Sequence, residues 1–328
     1  MSQQSFADGY IKWLRSHVGH QLIYLVYTNA FVFDEENRLL VQERYDFDWV
    51  SVPGGALEPH ESLLDCVRRE TFEETGIECS IERLIGVYSH PRYNLLYPNG
   101  DQVQQWGAAF VCRAASSDIK VDGRETLKAS FRPVEEIRHR LPIHYQEMLQ
   151  FIETHPDQAH VEEVYFGPNG RPFYSTMRQY VGQAQLILPG VSAAVFNEKG
   201  ELLVAHQKKR NFWDIPGGLA DLDESSSATA VRETREETGL EVRPIRLLSV
   251  LSDPTLLSGT LSNGDEFRGV DLVLECRVVG GEMRPDGVEV DQVAFKPIDE
   301  LIAQPNLRPF NRQRLLDILN RDNGPFIS

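Results

Sequence analysis

Cysteine is scarce in this sequence: 328 residues hold four, at Cys66, Cys79, Cys112 and Cys276, with no CxxC pair. That scatter suggests neither a disulfide framework nor a structural zinc site, and a reducing cytoplasm is the expected compartment. No apolar run approaches the roughly 20 residues that cross a bilayer. The start, MSQQSFADGYIKW, lacks the basic and apolar stretches of a secretory signal, so no membrane partner is expected. Basic residues are outnumbered, 33 against 49 acidic, for a net charge of −16. Polynucleotide binding draws on clustered Lys and Arg, so no nucleic-acid partner is expected either. A small anionic substrate remains compatible, provided a metal offsets the repulsion. There is no HExxH, which excludes a zinc protease of that type. No GxGxxG or GxxxxGK[ST] loop appears, which leaves a Rossmann or P-loop site without support. What is present is a hydrophobic content of 41% and a charged content of 25%, as in folded domains, in a chain long enough for two.

The chain repeats itself. WVSVPGGALEPHES (Trp49–Ser62) is echoed by FWDIPGGLADLDES (Phe212–Ser225), so Gly55 and Gly218 stand 163 residues apart. The same offset pairs Glu36–Val41 with Lys199–Val204, Gly19 with Gly182, and RRETFEETGI (Arg68–Ile77) with VRETREETGL (Val231–Leu240). Downstream it becomes 164, pairing Asn99–Asp101 with the start of NGDEF at Asn263, and Phe131 with Phe295. A period this long means duplicated domains and not a solenoid. The expected domains are 1–157 and 158–328, joined near 157–178, where Gly167-Pro168-Asn169-Gly170 reads as the turn of a small linking hairpin. Each copy is expected to open on a strand (24–33; 186–196) and a second strand (38–42; 201–205). A helix follows a Pro-Gly-Gly turn, over 62–75 and 225–238, stopped by Gly76 or Gly239 as a left-handed cap. Apolar strands (110–113; 272–279) and a terminal helix close each copy.

Glu70, Glu73 and Glu74 are spaced i, i+3, i+4, which puts three carboxylates within an arc of about 100° on one helix face. Such a face repels itself unless a divalent cation offsets the charge. Mg²⁺ takes hard oxygen ligands and bridges to phosphates, with Mn²⁺ an alternative. Arg69 stands beside them to steer or neutralise the carboxylates. Gly54 and Gly55 allow a tight turn and a close backbone approach. The second copy repeats the set as Gly217, Gly218, Glu224, Arg232, Glu233, Glu236, Glu237 and Gly239.

Both stretches resemble the Nudix box, G-x5-E-x7-R-E-U-x-E-E-x-G-U, with U a bulky residue. The first runs Gly55, Glu61, Arg69, Glu70, Thr71, Glu73, Glu74, Gly76, Ile77; the second runs Gly218, Glu224, Arg232, Glu233, Thr234, Glu236, Glu237, Gly239, Leu240. Threonine at the first U position is a mild departure in both. The resemblance, which extends over nearly the whole chain, implies two tandem α/β/α sandwich domains with mixed sheets, in the α/β (α+β) class. It implies that Glu70, Glu73 and Glu74, with the Gly55 carbonyl, hold metal, as do Glu233, Glu236 and Glu237 with Gly218. It also implies that Glu61 and Glu224 support the site while Arg69 and Arg232 orient the carboxylates. The catalytic base comes from the box, where Glu73 and Glu236 are options, or from a later loop, where Glu125 and Glu289 hold matching positions.

Beside the box, Trp49, Phe212, Trp213 and Tyr45 are candidates to stack on a base, with the core the alternative for each, and Gly54 and Gly217 are candidates for backbone contact with substrate. His90 is a structural or substrate-contact candidate. The expected reaction converts NDP-X and water to NMP and P-X, with the small-molecule nucleotide as partner. Pro91 and Pro254 each follow the box by 14 residues. This resembles the proline about fifteen residues past the box in family members acting on ADP-ribose, and it favours ADP-ribose or a nucleotide sugar over CDP-alcohols or nucleoside triphosphates. A single catalytic copy with a ligand-binding or structural partner is the alternative, and a ligand sensor a more remote one. Oligomeric state stays open, a homodimer among the options.

Overall fold

Strand Ile23–Phe33 is buried along almost its whole length, as a strand can be only when both faces of its sheet are covered. The computed structural model describes residues 6, 9–44, 50–121, 123 and 126–328. These divide into two compact units, one of residues 6–88 and 92–160, the other of 89–91 and 161–328.

In the N-terminal unit the sheet runs Val50–Ser51, Leu39–Arg44, Ile23–Phe33, Gln102–Ala114, Cys79–Tyr88, with Thr126–Arg132 also on Leu39–Arg44 and Leu95–Leu96 on Gln102–Ala114. Ile23–Phe33 and Gln102–Ala114 are parallel and the other pairs antiparallel, which makes the sheet mixed. One face packs on the terminal helix Ile143–Thr154, whose Tyr145, Met148 and Leu149 join Phe31, Ile85, Ala109 and Val111 in one apolar cluster. The opposite face takes the helix Leu63–Thr75, where Cys66 Sγ lies 3.5 Å from Thr28 Oγ1. Sheet strands between two helices give the expected α/β/α sandwich.

The C-terminal unit repeats this. Leu186–Val195 is parallel to Glu266–Gly281 and antiparallel to Gly217–Leu219, while Leu240–Leu251 pairs with the far edge of Glu266–Gly281. Leu202–Gln207 joins Phe212–Asp214 and Val290–Lys296 in a smaller sheet. The terminal helix Pro309–Leu319 packs through Leu315 and Ile318 against Ala194, Leu248 and Val273.

The duplication reaches further back than the strands. Helices Tyr10–Val18 and Phe173–Val181 open the two copies. Each ends at a glycine, Gly19 or Gly182, whose carbonyl takes a hydrogen bond from Arg15 or Arg178 at 3.0 Å. The linking stretch departs from expectation. Phe166–Arg171 does not fold back as a hairpin; it runs as one strand against Leu222–Glu224, with a register shift inside the pairing. Asn169 N–H donates to Asp223 at 2.8 Å, so the Gly-Pro-Asn-Gly run is anchored to the loop before the motif helix. Among the described residues no helix is long and apolar enough to cross a membrane.

Candidate active site

Each motif helix starts where its sequence says it must. Ser62 and Ser225 remain outside the helix as N-caps, their Oγ atoms accepting N–H bonds from Asp65 and Ala228 at 3.2 Å, so the helices are Leu63–Thr75 and Ser226–Thr238. Gly76 and Gly239 end them at φ 71° and 73°, the left-handed conformation that glycine adopts without strain.

The two arginines organise the carboxylates in the same way. Arg69 grips Glu61 with a two-pronged contact, Nε to Oε2 at 2.9 Å and Nη2 to Oε1 at 2.6 Å. Its Nη1 reaches Glu70 at 2.8 Å and Glu73 at 3.0 Å, and Nη2 also reaches the Ala56 carbonyl at 3.1 Å. Arg232 grips Glu224 at 3.1 and 2.8 Å, and touches Glu233 at 2.7 Å, Glu236 at 3.4 Å and the Leu219 carbonyl at 3.0 Å. A planar guanidinium makes this possible; an ammonium has no such fork. The Glu61 carboxylate holds the Arg69 guanidinium well above its ordinary pKa, so it is permanently charged.

Glu70 and Glu233 are seated against the glycine turn. A Cβ on Gly55 would lie 2.2 Å from the Glu70 carboxyl, and one on Gly218 would lie 2.3 Å from Glu233 Oε1, so only glycine leaves room for these carboxylates. The Gly55 carbonyl accepts the Thr28 N–H at 2.9 Å, which pins the turn to the central strand. The Gly54 N–H donates to Glu74 Oε2 at 2.9 Å, and Gly217, paired with Ser192 in the sheet, lies close enough for its N–H to pull on Glu237.

Burial dominates the electrostatics. It pushes Glu70 up to about 6 and Glu233 to about 7, against the pull of the neighbouring arginines. Glu237 rises to about 8, again by burial, with the Glu233 and Asp214 charges adding to it. Its Oε1 accepts from Gln207 at 3.0 Å, while its Oε2 is buried with no hydrogen bond. A set of buried oxygen donors, one of them unsatisfied, suits a hard divalent cation. Glu73 and Glu236 are exposed. Among the described residues no three acidic, histidine or cysteine side chains already close on one point, and the arginines hold Glu70, Glu73, Glu233 and Glu236.

The profile described as NUDIX domain matches residues 24–154 and again 187–318. The chain belongs to the Nudix family. It carries two tandem Nudix domains. YjhB of Bacillus subtilis (strain 168), described as a candidate ADP-ribose pyrophosphatase, is 31% identical over 112 residues, 34% of this chain and 50% of that protein. A "MutT-like protein" of Streptomyces ambofaciens is 30% identical over 155 residues, covering 47% of this chain and 90% of the other. The chain thus spans half the length of the first relative. A solved structure from Streptococcus suis, described as an ADP-ribose pyrophosphatase, is 24% identical with a TM-score of 0.35, covering 43% of this chain and 98% of that one.

Of the other Nudix-site candidates, Trp49, Tyr45 and Glu125 lie outside the described residues. Phe212 is buried at 4% exposure, which makes it core and not an open stacking face. Trp213 is half-buried between Lys296, 4.9 Å over its ring, and His206, 5.2 Å away. His90 is buried with its N–H on Glu162 at 2.9 Å and its ring on Tyr165, a structural placement. Glu289 is exposed, in the loop that enters Val290–Lys296. Pro91 and Pro254 each open a short helical turn, where a missing N–H costs nothing.

Sequence reading missed the two glutamines that address the third carboxylate. Gln42 donates to Glu74 at 2.9 Å and accepts from Thr126 Oγ1 at 2.7 Å. Gln207 serves Glu237 from a different register, since Ala205 is the residue that matches Gln42. A polar side chain at an inward strand position, as in LLVQE, was the available signal for Gln42.

Proposed function

We propose that both units are metal-dependent hydrolases that split the diphosphate bond of a nucleoside diphosphate linked to a second moiety. The observation that carries this reading is the repeated grip of one arginine on three carboxylates beside a glycine turn that has room for nothing larger. Glu70, Glu73 and Glu74 would hold Mg²⁺ or Mn²⁺ in the first unit, with the Gly55 carbonyl beside them. Glu233, Glu236, Glu237 and Gly218 would do so in the second. Such an ion, when bound, offsets phosphate charge and acidifies water.

The chain's own residues supply position and proton acceptance. Arg69 and Arg232 fix the carboxylate directions through Glu61 and Glu224, and Gln42 and Gln207 orient the third acid. Water oxygen bonds to one phosphorus while the bridging P–O bond breaks, and the water's protons end on solvent and the phosphate products. Glu289 is proposed as proton acceptor: it directly precedes Val290, whose strand partner Gln207 touches Glu237. Glu125 holds the matching place in the first copy. The named description of YjhB supports ADP-ribose or a nucleotide sugar as the first substrate class.

Incubating the full chain with ADP-ribose and Mg²⁺ should yield AMP and ribose phosphate in equal amounts, and EDTA should abolish both. Undiminished turnover in EDTA would overturn the metal assignment.

A further inference from the structure

The motif is duplicated faithfully, but the sheet face beside it is not. In the first unit Tyr27 and Gly107 are neighbours across the parallel strand pair, and the Tyr27 ring lies over Gly107. The matching pair in the second unit is Gly190 and Asp271. The exchange continues around this point. Asn29 and Ser51 are replaced by Ser192 and Asp214 at the offset of 163, and, with the terminal helices aligned at their first residues (Ile143 with Pro309), Tyr145 and Met148 are replaced by Asn311 and Arg314.

The first set is neutral. Tyr145 donates to Asn29 at 3.2 Å, Tyr27 donates to Gln105, and Met148 lies in the apolar core. The second is ionic. Arg314, only 5% exposed, donates to Ser192 at 2.7 Å, to Asp271 at 3.5 Å and to Asp214, while Asn311 donates to the other oxygen of Asp214 at 2.8 Å. Arg314 Nε and Asn311 Oδ1 are buried without hydrogen-bond partners.

The rim differs in the same sense. Lys208, Lys209 and Arg210 stand where the first copy has Tyr45, Asp46 and Phe47, and Arg308 stands where it has Pro142 at the start of the terminal helix. Arg308 lies over Phe212 at 5.9 Å and within electrostatic reach of Arg210, Arg314 and Asp214. Burial, and then the Arg210 charge, hold its guanidinium below its ordinary pKa. Among the described residues neither Arg210 nor Arg308 forms an ion pair with a carboxylate at contact distance. Arg210 N–H donates to the Gln207 carbonyl at 3.2 Å and Arg308 lies over Gln207's strand partner Phe212, so both arginines flank one strand end, where like charges favour an anion. Phe212, under Arg308, pairs across the strands with Gln207, which donates to Glu237 at 3.0 Å, so this rim and the second metal motif belong to one site.

We propose that the two sites sort substrates by charge. The C-terminal site takes a nucleotide carrying a further anionic group beyond the scissile diphosphate, held by Arg210 and Arg308. The N-terminal site takes one that ends in a neutral, hydroxyl-bearing group. This rests on the diphosphatase reading above, and the test separates the two.

In the full chain, Glu74→Gln silences the first site and Glu237→Gln the second. ATP and ADP-ribose serve as probes with Mg²⁺. The ratio of kcat/KM for ATP over ADP-ribose should be at least about tenfold higher in Glu74→Gln than in Glu237→Gln. Adding Arg210→Ala and Arg308→Ala to Glu74→Gln should lower kcat/KM for ATP about tenfold, mainly through KM. Equal ratios, or an ATP rate indifferent to the arginine changes, would overturn the proposal. If neither probe is hydrolysed, the diphosphatase reading fails, and ATP binding by calorimetry decides the rest. A tenfold weaker Kd in the Arg210→Ala, Arg308→Ala chain would uphold charge sorting; an unchanged Kd would sink it.

Discussion

Gly55 shows how a residue with no side chain acts in the site. Its missing Cβ is the space that the Glu70 carboxyl occupies, so alanine there would have to displace a carboxyl group 2.2 Å away. Gly55→Ala should therefore leave far-ultraviolet circular dichroism unchanged while lowering the N-terminal site's kcat about a hundredfold, the scale of losing one charge-stabilising group. The readout is turnover in a Glu237→Gln background, and undiminished turnover would show that Glu70 has no fixed role there. The same constraint explains why the glycines were legible in the sequence: a Pro-Gly-Gly turn ahead of a helix of clustered acids has few other uses. Gln42 left only the weak signal of a polar residue in LLVQE, and Gln207 left none, because the two reach equivalent carboxylates from non-equivalent positions and alignment of the copies hides them. For Phe212 it is the core alternative that the structure favours, for a related reason. An aromatic beside the box is open to a base only if its strand leaves a face exposed, and this strand buries it.

At the scale of the element, the terminal helices distinguish the copies. The second residue of Ile143–Thr154 is a buried histidine, His144, and the second residue of Pro309–Leu319 in the other copy is Phe310. Burial pushes the His144 imidazole down from 6.5 to about 4, with the Glu147 carboxylate opposing weakly. The folded state thus favours the neutral ring, and the unfolded state binds its proton first as pH falls. The contribution is intact above about pH 6.5 and is lost on the way down to about 4, at a limit near 1.4 kcal/mol per pH unit. His144→Phe should remove that dependence. The unfolding free energy of the variant minus that of the unaltered chain, measured between pH 7 and 4, should grow as pH falls, and parallel curves would contradict the burial argument. Helices and strands with a clean period, a serine cap or a glycine stop were readable without structure. Cys79–Tyr88 was not, since its first half alternates with exposed charge and only its second half is buried. The Phe166–Arg171 strand escaped reading because its Gly-Pro-Asn-Gly carries turn residues that are instead anchored from outside by Asp223.

For the whole molecule, duplication copied the arginine–carboxylate frame and left the surrounding chemistry free to change. The arginine–carboxylate geometry agrees between units to within a few tenths of an ångström at most contacts. A net charge of −16 sits on this chain, yet Arg210, Arg308 and the neighbouring lysines gather on one copy alone. The central claim is that each unit is a metal-dependent site in its own right. Steady-state kinetics of Glu74→Gln, Glu237→Gln and the double variant, on both ADP-ribose and ATP with Mg²⁺, test it most directly. Each single variant should keep substantial activity on at least one substrate, and the double variant should lose at least about a hundredfold in kcat on both. A double variant as active as the unaltered chain would contradict the site, and a single change that removed all activity would contradict its independence.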